Sequence, residues 1–102
     1  MLALAAGAVF AGQDVKPPTI VQKVEPQFSE EARRAKVDGV VEVAIEIDEE
    51  GNVASTEVLD GPGYGLNEQA EEAVKLWKFK PATKDGKPVR FKGVVKTAFR
   101  LG

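Results

Sequence analysis

Hydrophobic residues in this chain change period twice. They alternate one in two from Gly39 to Asp48, fall on a helical stripe from Leu66 to Trp77, and alternate again from Arg90 to Leu101. Alternation buries one face of a strand and a 3.6-residue period buries one stripe of a helix, so a chain with both must close a small sheet beneath helices. At 102 residues there is room for one such core and not for two.

The residues between these stretches supply the connections. Ser29 before Glu30 and Glu31 is an N-cap followed by acids that suit the positive end of a helix. The spacing therefore predicts a short helix to about Lys36, with Phe28, Ala32 and Ala35 inward and Gly39 as the exit. In the next strand Val41, Val43, Ile45 and Ile47 face one way and Glu42, Ala44, Glu46 and Asp48 the other. Asp48-Glu49-Glu50-Gly51-Asn52 is turn chemistry, with Gly51 free to take positive φ, so Val53 to Leu59 returns as a hairpin partner. Asp60 to Gly65 is a connector: its glycines fit no nucleotide fingerprint and no Lys follows in the helix start. The second helix carries Leu66, Ala70, Ala73, Val74 and Trp77 on one stripe behind an Asn67 cap, with acids early and Lys75 and Lys78 late. Trp77 packs against the sheet in this reading. After a turn at Lys84 to Lys87, the last strand puts Phe91, Val95, Thr97, Phe99 and Leu101 inward, with Gly93 as a gap, and Arg90, Lys92, Lys96 and Arg100 outward.

Charge sets the strand order. From Glu42 to Asp60 there are seven acids and no Lys or Arg, whereas Lys84 to Arg100 holds six bases and one acid. Opposite charges on facing strands attract by roughly 0.2–1 kcal/mol a pair and like charges repel. The acidic first strand is therefore expected between the other two, in the order 2-1-3, with the basic strand at an edge. An edge strand with free backbone N–H and C=O groups can accept an added peptide strand, and its charges can equally serve only to discourage aggregation.

Composition removes other classes of function. Without Cys or His there is no disulfide framework, no thiolate or imidazole metal site and no Ser-His-Asp triad. The carboxylates sit at turns, helix starts and outer strand faces, where solvation accounts for them, so neither catalysis nor a cofactor is expected. A net charge of −2 and basic-strand aromatics that alternate inward also argue against nucleic acid as a partner.

The N-terminus reads as a processing signal. Residues 2–11 form an apolar, Ala-rich run of the length of a signal-peptide core, too short to span a bilayer. The expected division is residues 1–11 as signal remnant, 12–23 as a tether containing Pro17-Pro18, and 24–102 as the domain.

A linked set of residues then carries a resemblance. Pro26-Gln27-Phe28, Ala32, Gly39-Val40-Val41, Ile47-Asp48, Gly51-Asn52-Val53, Ala73-Val74, Trp77-Lys78-Phe79-Lys80-Pro81-Ala82, Asp85-Gly86, Pro88-Val89 and Phe99 resemble the C-terminal domain of TonB-type energy transducers. The resemblance implies an α+β fold in which two helices cover one face of a three-stranded antiparallel sheet. It implies a periplasmic domain that contacts the N-terminal box of outer-membrane transporters and receptors, the last strand recruiting that box as an added strand. Carried onto this chain, the partner-binding residues are Arg90, Phe91, Lys92, Val94, Lys96, Ala98 and Arg100. Pro26, Gln27 and Phe28 form a second contact, where the family's Tyr-Pro element falls on Phe28-Ser29 and the proline is not kept. Family members that transmit force have an anchor helix and a long Pro-rich spacer, so this sequence reads as an exported binding domain that does not itself pull. An upstream extension of the apolar run would make it an inner-membrane anchor. A homodimer paired through the edge strands is the competing association.

Overall fold

The computed structural model describes residues 8–10 and 13–101. Its central sheet has the order β5-β4-β9, built from β4 (Gly39–Ile47), β5 (Val53–Asp60) and β9 (Phe91–Phe99), with β4 antiparallel to both neighbours. This is the order expected from charge. In register, Glu42 faces Lys96 and Glu46 faces Lys92.

Helices α1 (Glu30–Ala35) and α2 (Leu66–Val74) supply the other side of one core. Val41, Val43, Ile45 and Ile47 of β4 pack with Ala32, Leu66, Ala70, Val74, Trp77, Phe79 and Phe99, all buried. Each fully buried aliphatic or aromatic side chain contributes roughly 1.5–3 kcal/mol, so β4, buried along one whole face, is the fold's main apolar support. Gly93 leaves room on β9 that the Phe91 ring fills, a Cβ there lying 3.3 Å from Phe91 Cε1.

Helix α1 begins as expected. Ser29 Oγ accepts from the Ala32 N–H at 3.1 Å, and Lys36 ends the helix in the left-handed region at φ 57°. Ala35, however, is exposed, and Ala32 is the residue by which this short helix enters the core. The start of α2 also differs. Its cap is Gly65 at φ 80°, with no side-chain cap bond, while Asn67 Oδ1 accepts from the Gly63 N–H at 3.1 Å and braces the loop instead. Helix α2 stops at Val74, so Trp77 enters the core from the turn after it. Leu101 lies beyond the end of β9 and is exposed.

The turn between β4 and β5 is closed by Asp48, whose Oδ1 accepts from the N–H groups of Glu50 and Asn52 at 2.9 Å each. Gly51 takes φ 86°. Its carbonyl accepts from the Phe79 N–H at 2.8 Å, and a Cβ at this position would overlap the Phe79 carbonyl oxygen. Glycine is needed here twice over, for conformation and for approach.

The largest difference from expectation lies before residue 24. The segment read as a tether contains β2 (Gln13–Lys16) and β3 (Thr19–Gln22). β3 pairs with β6 (Lys78–Lys80), and β2 pairs with β7 (Ala82–Lys84), which in turn pairs with β8 (Lys87–Val89). Pro17 and Pro18 fall between β2 and β3, where neither removes a ladder donor. Of the apolar run at residues 2–11, only β1 (Ala8–Phe10), antiparallel to β2, is described; the rest lies outside the described residues. Among the described residues no helix is long and apolar enough to cross a membrane.

Candidate edge-strand binding site

Strand β9 forms because its alternation meets that of β4 across nine residue pairs, from Gly39↔Phe99 to Ile47↔Phe91. Among the described residues it has no strand on its other side. Its inward residues Thr97 and Phe99 are buried and Val95 is half-buried, while Lys92, Val94, Lys96 and Ala98 are exposed on the face away from the helices. Arg90 and Arg100 flank the strand and are exposed too. Phe91 is half-buried and belongs to the inner face, so of the expected contact residues on this strand it is the one held by the fold.

Ion pairs run across the sheet on the outer face. Arg90 Nη1 donates to Glu46 Oε2 at 3.0 Å and its Nε lies 3.7 Å from Glu49. The hydrogen bond and charge of Glu46, with Glu49 and Asp48 adding, raise the Arg90 pKa above its ordinary value. Lys96 Nζ lies 3.8 Å from Glu42. Between these pairs the sheet forms a shallow trough of about 490 Å³ with Ala44 at its floor and Glu46, Glu57, Lys92 and Val94 around it. Exposed pairs of this kind contribute little stability, so their effect is to orient charge along the edge.

The second expected contact lies at one end of β9. The Phe28 ring meets Phe99 edge-on, centroids 5.7 Å apart, and Arg33 stacks over it at 5.5 Å. Phe28 thus joins the segment before α1 to the last residue of β9, while Gln27 is exposed. Pro26 and Gln27 line a separate cleft of about 320 Å³ with Gln69, Glu72, Ala73 and Leu76. Leu76 is 60% exposed and was missed in the sequence, where it sits off the helical stripe beside Trp77; an apolar residue out of phase was the available signal. Trp77 itself is 3% exposed, held by Phe79 and by Lys23 over its ring at 5.6 Å, which leaves no face for a stacked ligand.

Comparison with known proteins agrees with this architecture. The family described as the Gram-negative bacterial TonB protein C-terminal matches residues 24–101. Protein TonB of Vibrio cholerae is 33% identical over 87 residues, covering 84% of this chain and 36% of that protein. The chain therefore spans about a third of the curated relative's length. The solution NMR structure of the Pseudomonas aeruginosa TonB CTD is similar in fold, with a TM-score of 0.66 at 20% identity, over 95% of this chain and 96% of that one. With its two helices, its antiparallel sheets and a match across the whole of its central sheet, the chain belongs to the TonB C-terminal domain family.

Proposed function

We propose that this domain binds an extended segment of an outer-membrane transporter or receptor by strand addition along β9, in the periplasm, as the recognition part of an energy-coupled transport system. The observation that carries the reading is the edge of β9, unpaired among the described residues, with four exposed side chains, Lys92, Val94, Lys96 and Ala98, on one face. Main-chain hydrogen bonds to such an edge supply affinity, and the flanking side chains select the partner. Pro26, Gln27 and Phe28 extend the contact beyond the Phe99 end, where the Phe28 ring already touches the strand. The domain acts by binding, without catalysis or a cofactor.

A titration of the isotopically labelled chain with a peptide from the N-terminal box of such a transporter tests this. Saturable amide shifts concentrated between Arg90 and Leu101 are expected. A folded spectrum that none of several such peptides perturbs would overturn the reading.

A second reading has its own observation. The opposite edge, β5, carries Glu57 and Asp60, whereas β9 carries Lys92 and Lys96. The β5 edge of one copy is complementary in charge to the β9 edge of another, which would give self-association through edge strands. Sedimentation across a concentration series separates the two: a monomer at every concentration removes it.

A further inference from the structure

The charge pattern on β9 also restricts which segment it takes up, granted that it takes one up by strand addition. On the outer face, Glu46 lies opposite Lys92, Ala44 opposite Val94, Glu42 opposite Lys96 and Val40 opposite Ala98. An added strand continues each of these rows by one residue, about 4.8 Å further out. In the first row the Glu46 carboxylate is taken by Arg90 at 3.0 Å, which leaves Lys92 without an ion pair among the described residues. In the third row Lys96 reaches Glu42 only at 3.8 Å, with its side chain 69% exposed. The open side of the sheet thus ends in two ammonium groups with Val94, 54% exposed, between them.

Side chains two and four residues apart in a strand share a face, and opposite charges directly across a ladder are favoured while like charges are not. We propose that the segment bound by β9 carries the pattern acid-x-apolar-x-acid, its two acids opposite Lys92 and Lys96 and its apolar side chain over Val94. The pattern reads the same in both directions, so it holds for a parallel or an antiparallel added strand. Beside Val94 the sheet falls into the trough floored by Ala44. A long apolar side chain can lean across Val94 into its rim, which favours Leu, Ile or Phe over Ala at the middle position.

Two synthetic peptides test the pattern against the labelled chain, one with an Asp-Thr-Leu-Thr-Asp core and one with Lys-Thr-Leu-Thr-Lys. The acidic core should bind at least about 3-fold and up to about 30-fold more tightly, with shifts centred on Lys92 to Lys96. In the doubly substituted chain Lys92→Gln/Lys96→Gln, both changes at exposed positions, that difference should collapse. Equal affinity of the two peptides at β9 would overturn the acidic pattern and leave strand addition standing. A preference that survives the double substitution would overturn the assignment to these two lysines. Shifts from neither peptide would overturn the pattern and, together with silent transporter peptides, strand addition as well.

Discussion

The Trp77 indole Nε1 donates a hydrogen bond to the Val24 carbonyl at 3.0 Å, joining residues 53 positions apart. The ring that fills the core below the sheet therefore also ties down the chain leading from β3 into α1. Trp77→Phe keeps an aromatic in place but strands a part-buried carbonyl, so a loss of about 2 kcal/mol is expected. Chemical denaturation should show a lower midpoint, and amides before residue 25 should exchange faster than in the parent chain.

Ser29 serves two helix starts at once. Its Oγ accepts from Ala32 N–H and donates to the Tyr64 carbonyl just before Gly65 caps α2. Ser29→Ala should cost near the upper end of the range for a lost N-cap, about 2 kcal/mol, read as a fall in thermal midpoint. Ser29→Thr keeps the hydroxyl and should recover most of it.

At Gly51 the positive φ and the approach to Phe79 act together. Gly51→Ala should destabilise by at least about 2 kcal/mol, since conformational strain alone costs roughly 1–2 kcal/mol and the overlap adds to it. The β4–β5 turn would have to leave β6, visible as shifts at Asn52 and Phe79. A change below about 0.5 kcal/mol, the level of an ordinary surface substitution, would contradict the account.

Thr97 is 7% exposed, and its hydroxyl has no hydrogen-bond partner among the described residues. Removing a buried hydroxyl that makes no bond is favourable when the shape is kept. Thr97→Val should therefore be neutral to stabilising, by up to about 1 kcal/mol. Because Thr97 faces inward on β9, the substitution should leave peptide binding at the edge unchanged; a drop in affinity would show that the two faces are coupled.

The parts of the fold legible in the sequence are those where one physical signal acts alone. Alternation located β4 and β9, and the separation of acids from bases ordered the sheet, because cross-strand pairs such as Glu42↔Lys96 only form in one arrangement. The outer face of β9 follows from the same alternation, which also puts Phe91 inward, where its ring lies over Gly93; only the family resemblance made Phe91 a contact residue. The short strands β2 and β3 were illegible. They are four residues long, without an alternating apolar pattern and separated by two prolines, and they are strands because β6 and β7 offer backbone partners. The Gly65 cap was hidden for a similar reason: Asn67 has the better capping side chain, but the turn before α2 spends it on Gly63. That the Phe28 corner meets the end of β9 is a tertiary fact that no local pattern carries.

The sheet has a temporal order implied by its pairing. Ile47 meets Val53 across one tight turn, whereas Gly39 meets Phe99 across most of the domain. Closing the short loop costs far less entropy, and hairpins form within about 1–10 μs. We expect β4 and β5 to pair first and β9 to dock late, so that substitutions in the β4–β5 turn slow folding while those on β9 mainly speed unfolding; the reverse in stopped-flow measurements would refute this order. Until β9 arrives, the naked edge of the sheet belongs to β4, and any strand of suitable charge competes for it. On this order, the strand whose outer edge stays open among the described residues is itself the sheet's last recruit.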